Sequence, residues 1–494
     1  MYPQLTIDDL PDEVLLDIFK FYLDEAWAYD AWHYLVHVCQ RWRCLVFASP
    51  RRLDLELFCT NRRPVKKRLD IWPALPIVIY AKNRIVMSHL RGSSNIISAL
   101  KQRDRVFRID IDGIPTSLLK RFAEIKTPFP VLRDLMLLKY DENAPILPDS
   151  FLGGSAPCLE ELTLERIPFP ALPKLLLSTT NLVDLSLRKI PQSGYISPKA
   201  MVTCLSGLTR LNSLEIQFQS PQSRAGQESR HPPPPTRANL PALTKFYLSS
   251  DAEYLEDLVS QIDTPLLEYA NISFPVQLEF DTPLLRHFID RTETFKALHN
   301  VDVVISRHIV YVTLFRSDKG PGRKLLELQI SCDVPDWRFS SLARICNSRL
   351  PPFPTLERLE ICAHQELRWQ DDVQNTQWLQ LFRPFSSVKD LTLFGDLVGL
   401  IAPVLQELAG ESITGVLPAL QNLFLRAPWP SKPDRVLRGA IKQFIAARQL
   451  SGRPPILHYW VDRRERRREG VTGNEWVVLN DEIGALSAPR FPAL

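Results

Sequence analysis

Apolar residues in the first fifty positions recur with the period of an α-helix. One stripe comprises Val14, Leu15, Ile18, Phe19 and Tyr22, which fall on one side of a helix with 3.6 residues per turn. Asp12 and Glu13 precede this stripe, where acidic side chains suit the positive end of the helix dipole. A second stripe runs from Leu35 to Val46. The pattern predicts a small helical domain over residues 1–50.

From about residue 70 the pattern changes to a recurring L-x-x-L-x-L motif, with aliphatic or aromatic substitutes. Thirteen units can be recognised, and their first positions are Leu75, Val106, Leu132, Leu159, Leu182, Leu211, Leu243, Leu267, Leu298, Leu325, Leu356, Val388 and Leu420. Successive starts lie 23 to 32 residues apart, with a mean of about 29. Such a period is typical of repeat architectures.

The last two apolar positions of each motif fall on one face of a strand, because side chains alternate along a strand with a period of 2. The remaining twenty or so residues must return the chain to the start of the next strand. One unit cannot bury its apolar face alone, whereas stacked units can. We therefore predict an α+β or α/β solenoid, an irregular leucine-rich-repeat horseshoe of about 13 units over residues 71–432, joined to the helical domain by a linker at 51–70.

Two segments depart from the repeat pattern. Residues 219–239 contain no aliphatic residue larger than alanine and no aromatic ring except His231, so we expect a disordered insert. Residues 433–494 carry an amphipathic helical pattern and then a strand-like apolar run at 456–461. This part is predicted to be a C-terminal helix–strand cap and tail.

Composition limits the functional classes. The 494 residues are 45% hydrophobic and 23% charged, close to globular averages, and no apolar run reaches the 18 residues of a membrane-spanning helix. The N-terminal residues lack the basic and apolar regions of a signal peptide. We expect a cytoplasmic or nuclear location, with the eight scattered cysteines as free thiols.

Candidate chemistry is sparse. The chain has no G-x-S-x-G, H-E-x-x-H or phosphate-loop motif, so we expect neither an enzyme nor a cofactor. His33, His37, Cys39 and Cys44 have spacings found in zinc sites. All four lie within twelve residues of a helical segment, which cannot surround one ion tetrahedrally, so no metal site is predicted. The basic run at 463–468 leaves a nuclear-localisation or nucleic-acid patch open.

Two short segments of the helical domain carry a family resemblance. Residues 10–19 read LPDEVLLDIF and residues 38–46 read VCQRWRCLV. In this order they resemble the two halves of the F-box, over about residues 6–50. An F-box followed by irregular leucine-rich repeats is similar to the F-box repertoire of mushroom-forming fungi. The spacer between the halves is about five residues longer than usual.

The resemblance implies the substrate-recognition subunit of a cullin–RING (SCF-type) ubiquitin ligase. In that family the F-box docks on a Skp-type adaptor, the S-phase-kinase-associated protein, which links it to the cullin, while the repeats bind a protein target. Carried over by position, the adaptor-facing residues would be Leu10, Pro11, Glu13, Val14, Ile18, Val38, Trp42 and Val46. Some of them would instead hold the small helices together.

The target surface follows from strand geometry. The residue between the two apolar positions of each strand should lie on the exposed concave face. This column and its two neighbours contain more acids than bases, although the net charge of the chain is +4, so we expect a basic protein target. The candidate target-binding residues are Glu215, Tyr247, Asp302, Glu360 and Phe424. Two alternatives stay open, a leucine-rich-repeat scaffold with a degenerate F-box and a nucleic-acid binder using the basic run.

Overall fold

The computed structural model describes residues 7–25, 31–61, 65–82, 90–218, 237–275, 282–306, 309–316, 324–331, 356–363, 375–395, 397–401, 404–406, 416–426, 435–450, 455–461 and 475–478. The chain divides into two units, Met1–Ser220 and Pro221–Leu494, and each is described by itself. No helix of the described residues is both long and apolar enough to span a membrane.

The first unit begins with helices and continues as alternating strands and helices. Its α-helices are α1 (Asp12–Glu25), α2 (Trp32–Val36), α3 (Gln40–Ala48), α4 (Val65–Ile71), α5 (Leu90–Leu100), α6 (Thr116–Ala123), α7 (Leu172–Leu176) and α8 (Pro198–Leu205). Its strands are β1 (Leu57–Thr60), β2 (Ile77–Lys82), β3 (Val106–Asp112), β4 (Asp134–Leu138), β5 (Glu161–Glu165), β6 (Asp184–Ile190) and β7 (Ser213–Phe218). Short 3₁₀ turns lie at Ile7–Asp9, Phe151–Gly154 and Gln192–Gly194.

The second unit contains more strand than helix. Its strands are β8 (Ala238–Asn239), β9 (Lys245–Ser249), β10 (Ile262–Asp263), β11 (Tyr269–Phe274), β12 (Leu298–Ile305), β13 (Ile309–Arg316), β14 (Lys324–Ser331), β15 (Arg358–Ala363), β16 (Asp390–Phe394), β17 (Asn422–Arg426), β18 (Ile456–Val461) and β19 (Glu475–Val478). Its α-helices are α9 (Ala252–Gln261), α10 (Pro283–Arg291), α11 (Asn375–Phe382), α12 (Leu397–Leu400) and α13 (Arg435–Leu450), with a 3₁₀ turn at Glu293–Ala297.

The N-terminal helical module consists of α1, α2 and α3. The second helical stripe of the sequence is two helices rather than one, because the chain is extended at Cys39. The Cys39 sulfur accepts a hydrogen bond from the backbone N–H of Trp42, which satisfies one of the free donors that every helix start exposes. Leu15, Phe19 and Val46 are fully buried and form the core of this module.

The sheet of the first unit is entirely parallel, and each strand from β1 to β7 pairs with the next. Alternate residues face the core: Leu135 and Leu137 are buried in β4 while Met136 between them is exposed. Strand β1 at Leu57–Thr60 pairs with β2, so the sheet begins inside the predicted linker segment 51–70. The neighbouring apolar alternation at Leu53 and Leu55 is buried as well.

The sheet of the second unit departs from sequential stacking. Its strand order is β9-β11-β14-β13-β12-β15-β16-β17-β18-β19. Strands β12, β13 and β14 form an antiparallel meander, and β18 and β19 are antiparallel, whereas the other pairs are parallel. The connection from Ile305 to Ile309 is too short for a parallel crossover, which needs a dozen or more residues.

All thirteen motif units of the sequence coincide with strands β2 to β7, β9, β11, β12 and β14 to β17. The predicted leucine-rich-repeat-like α/β solenoid is therefore confirmed. The predicted helix and strand near the C-terminus are α13 and β18, and β18 extends the sheet beside β17. The insert prediction falls mainly on residues 219–236, outside the described residues. Residues 238–239 are not part of such an insert, since they pair with Ile262 and Asp263.

Candidate protein-binding surfaces

One candidate surface is an exposed apolar stripe on α1. Val14, Ile18 and Phe21 are spaced by four and three residues, so they lie on one side of the helix. Val14 and Ile18 are each 42% exposed and Phe21 is 69% exposed. The opposite side of α1 is buried in the module. Among the described residues, α1 is therefore apolar on both sides and buried on only one. A contiguous exposed apolar patch of this kind is a candidate interaction site.

The remaining predicted adaptor-facing residues differ in accessibility. Pro11, Glu13 and Val38 are exposed, while Leu10 and Trp42 are partly buried. The Trp42 ring lies 4.6 Å from that of Phe19, and Val46 is 0% exposed. Val46 therefore stabilises the packing of the helices and offers no surface to a partner.

Arg41 joins the two halves of the motif. Its guanidinium donates to the carbonyl of Leu10 at 2.6 Å and to the Asp12 carboxylate at 2.6 Å. These bonds fix the start of α1 against α3. Sequence reasoning did not identify this residue, because neither partner lies near Arg41 in sequence.

The histidines of the module belong to an aromatic cluster. The His33 ring stacks on Trp72 at a centroid distance of 4.9 Å and lies 3.9 Å from the ring of Trp32. His37 approaches Trp72 at 6.2 Å. Among the described residues, no three histidine, cysteine or acidic side chains are placed to hold a metal ion together.

The exposed sheet face of the first unit carries partly neutralised charges. The guanidinium of Arg108 donates to Asp134 at 2.6 Å. Glu215, a predicted target-binding residue, accepts a hydrogen bond from Ser186 at 2.7 Å and pairs with Arg188 at 2.8 Å. The carboxylate of Glu215 thus already contacts two side chains of the neighbouring strand.

A second candidate surface is the central row of side chains on the less buried face of the second unit's sheet. Cross-strand register places neighbours side by side, and in spatial order the row is Tyr247, Asn271, Glu327, Thr313, Asp302, Glu360, Thr392, Phe424 and His458. Side chains at paired positions of adjacent strands point to the same face. Four of the five predicted target-binding residues lie in this row, whereas Glu215 lies in the first unit.

Asp302 and Glu360 form a carboxylate pair at the centre of this row. Both side chains are half-buried. Burial and the neighbouring Glu360 carboxylate raise the pKa of Asp302 to about 6, although Lys324 and Arg358 oppose the rise. Burial also raises the pKa of Glu360, opposed by Arg358 and Arg426.

The other acids on this sheet face have partners. Glu327 accepts a hydrogen bond from Asn271 at 3.1 Å and pairs with Lys324 at 3.2 Å. Asp390 pairs with Arg358 at 3.4 Å and accepts a hydrogen bond from Asn422 at 2.8 Å. Within the described part of the chain, Asp302 and Glu360 make neither a hydrogen bond nor an ion pair through their carboxylates.

Aromatic side chains lie toward both ends of the row. The rings of Phe424 and His458 stack at 4.3 Å with an interplanar angle of 13°. His458 also lies 3.3 Å from the side-chain oxygen of Asn422, and burial lowers the pKa of His458. At the opposite end the rings of Tyr247 and Tyr269 are 5.4 Å apart.

Sequence reasoning missed two members of the row, Thr313 and His458. His458 could have been identified, because it lies within the apolar run at 456–461 that the sequence predicts as a strand. No such signal exists for Thr313, because β13 lacks the leucine motif and joins the face only through the antiparallel meander.

Comparison with known proteins identifies no relative: no family model matches the chain, and no curated protein has a significantly similar sequence.

Proposed function

We propose that this chain is the substrate-recognition subunit of a cullin–RING (SCF-type) ubiquitin ligase. The N-terminal helical module would dock a Skp-type adaptor and through it a cullin, and the solenoid would bind a protein target. The chain itself would act as a receptor rather than as an enzyme. The observation that carries this proposal is the exposure of Val14 and Ile18 at positions that the F-box resemblance assigns to the adaptor.

The proposal is based on helix α1, which carries apolar side chains on two opposite sides. Its buried side, with Leu15 and Phe19, stabilises the module, while the stripe of Val14, Ile18 and Phe21 remains exposed. Apolar anchors that become buried at the centre of an interface often contribute 2 kcal/mol or more to binding. The stripe therefore supplies the kind of surface that adaptor docking requires.

Replacing Ile18 with lysine tests this proposal. Docking would bury an unpaired ammonium group, which is costly, so we expect the variant to lose adaptor capture. The measurement is co-purification of recombinant Skp-type adaptor and cullin with the tagged full chain. The matched control is Ile146→Lys, since Ile146 is 55% exposed in the solenoid.

Equal recovery of the adaptor by wild type and Ile18→Lys would contradict the proposal. Loss of capture by both lysine variants would mean that the effect is non-specific. If the wild-type chain captures no adaptor while remaining folded, the scaffold alternative replaces the ligase proposal.

A nucleic-acid function has less support. The carboxylate pair of Asp302 and Glu360 gives the sheet face of the second unit the wrong charge for phosphate. The basic run at 463–468 lies outside the described residues, so no observation of the structure favours it.

A further inference from the structure

We propose that the central row of the second unit's sheet binds an extended segment of a partner protein with the pattern basic-x-x-x-apolar. The basic side chain would lie between Asp302 and Glu360, and the apolar side chain would pack on Phe424 and His458. This inference rests on the proposed function, because it specifies the target that the solenoid would recruit.

The first support is that Asp302 and Glu360 carry like charges at paired strand positions and form no ion pair within the described residues. Like charges at directly paired positions of neighbouring strands are destabilising, and half-burial adds a desolvation cost to each carboxylate. Glu327 and Asp390 lie on the same face and are each neutralised by a nearby base. Lys324 and Arg358 also oppose the charge of the central pair, but within the described residues they form their ion pairs with Glu327 and Asp390. A cation from a partner would supply the direct ion pair that Asp302 and Glu360 lack there.

The second support is the position of the aromatic pair. Glu360, Thr392 and Phe424 lie at paired positions on three successive strands. Neighbouring strands are about 4.8 Å apart, so the point between Asp302 and Glu360 is about 14 Å from the point between Phe424 and His458, three strand spacings away. An extended chain advances about 3.3 Å per residue and its side chains alternate between two faces, so two recognised side chains that face the sheet at this separation are four residues apart.

The third support is the nature of the side chains along this path. Thr392, between the carboxylate pair and the aromatic pair, is almost fully buried and leaves no long side chain across the row. Stacking on Phe424 holds the His458 ring in place. A preordered aromatic pair of this kind packs well against an apolar anchor.

The sheet face of the first unit provides a matched control. Glu161 and Asp184 are also carboxylates at paired positions of neighbouring strands. Glu161 is exposed, and the paired positions beside this pair hold no stacked aromatic rings. We therefore expect no comparable binding there.

The experiment measures fluorescence anisotropy of a labelled peptide, Gly-Ser-Arg-Gly-Ser-Gly-Leu-Gly-Ser, titrated with the purified full chain. A second peptide carries citrulline, the neutral analogue, in place of arginine. We expect the citrulline peptide to bind at least tenfold more weakly. The double variant Asp302→Asn/Glu360→Gln should lose at least tenfold affinity for the arginine peptide, and Phe424→Ala should also weaken binding.

The control variant Glu161→Gln/Asp184→Asn removes the same charge from the other unit and should change affinity less than twofold. The inference is overturned if the arginine peptide does not bind, if citrulline is tolerated, or if both double variants bind like the wild type. Adaptor capture by Asp302→Asn/Glu360→Gln should equal that of the wild type, so a failure of this inference and a failure of the ligase proposal give different results.

Discussion

At the scale of single residues, ionisation of the Asp302 carboxylate lowers the stability of the folded chain. Its folded pKa of about 6 lies above the ordinary value of 3.8, so the folded state favours the protonated form. The associated stability is fully present below about pH 4 and is lost as the pH rises through about 6. Asp302→Asn should therefore match the wild type near pH 4 and be more stable near pH 7.5.

The gain at pH 7.5 should be on the order of 1 kcal/mol, because partial solvent access reduces the full effect of the pKa shift. Urea unfolding at the two pH values measures it. Asp149→Asn is the control, since Asp149 is exposed and should change stability by less than about 0.5 kcal/mol at either pH. A stability change that does not depend on pH would show that Asp302 ionises normally.

The same residue shows how far sequence alone could reach. Alternation along each strand placed Asp302, Glu360 and Phe424 on the exposed face, and the structure agrees. Sequential stacking would have put Asp302 beside Asn271, whereas its neighbours are Thr313 and Glu360. The carboxylate pair depends on the spatial order of strands, which local hydrophobic pattern does not encode.

At the scale of elements, Glu256 links two helices of the second unit. From α9 its carboxylate accepts hydrogen bonds from the backbone N–H groups of Leu284 and Leu285, both at 2.8 Å. These are donors in the first turn of α10 that have no partner within that helix. A buried carboxylate at this position also suits the positive end of the helix dipole.

Replacing Glu256 with alanine should destabilise the chain by about 2 kcal/mol, through loss of a helix cap and exposure of unpaired donors. Thermal unfolding of the full chain measures the change. Glu253→Ala on the same helix is the control, because Glu253 is exposed and should cost much less. Similar melting temperatures for the two variants would mean that water replaces the Glu256 cap.

Element boundaries show a second limit of the sequence pattern. The alternation of Leu53, Leu55, Leu57 and Cys59 was a signal for β1, since all four are buried, but it lacks the full leucine motif. The meander is different in kind. Its strand β13 is a largely apolar run interrupted by Thr313. Its direction follows from a short connection, and its position between β12 and β14 requires long-range pairing.

At the scale of the whole molecule, the two proposed interactions differ in physical origin. Docking through Val14 and Ile18 would depend on apolar burial, whereas recognition at Asp302 and Glu360 would depend on charge. Salt screens charges at the protein surface over about 8 Å at physiological ionic strength and about 3 Å at 1 M. Apolar burial is not weakened in this way.

We therefore expect adaptor capture and peptide binding to respond differently to salt and to the two variants. Raising sodium chloride from about 0.05 M to about 0.5 M should weaken binding of the arginine peptide roughly tenfold and change adaptor capture less than twofold. Ile18→Lys should abolish adaptor capture and leave peptide affinity unchanged, while Asp302→Asn/Glu360→Gln should do the reverse. Parallel titrations of one preparation of each variant measure both. If either variant lost both activities while its melting temperature stayed that of the wild type, the assignment of the two interactions to separate, independent surfaces would be wrong.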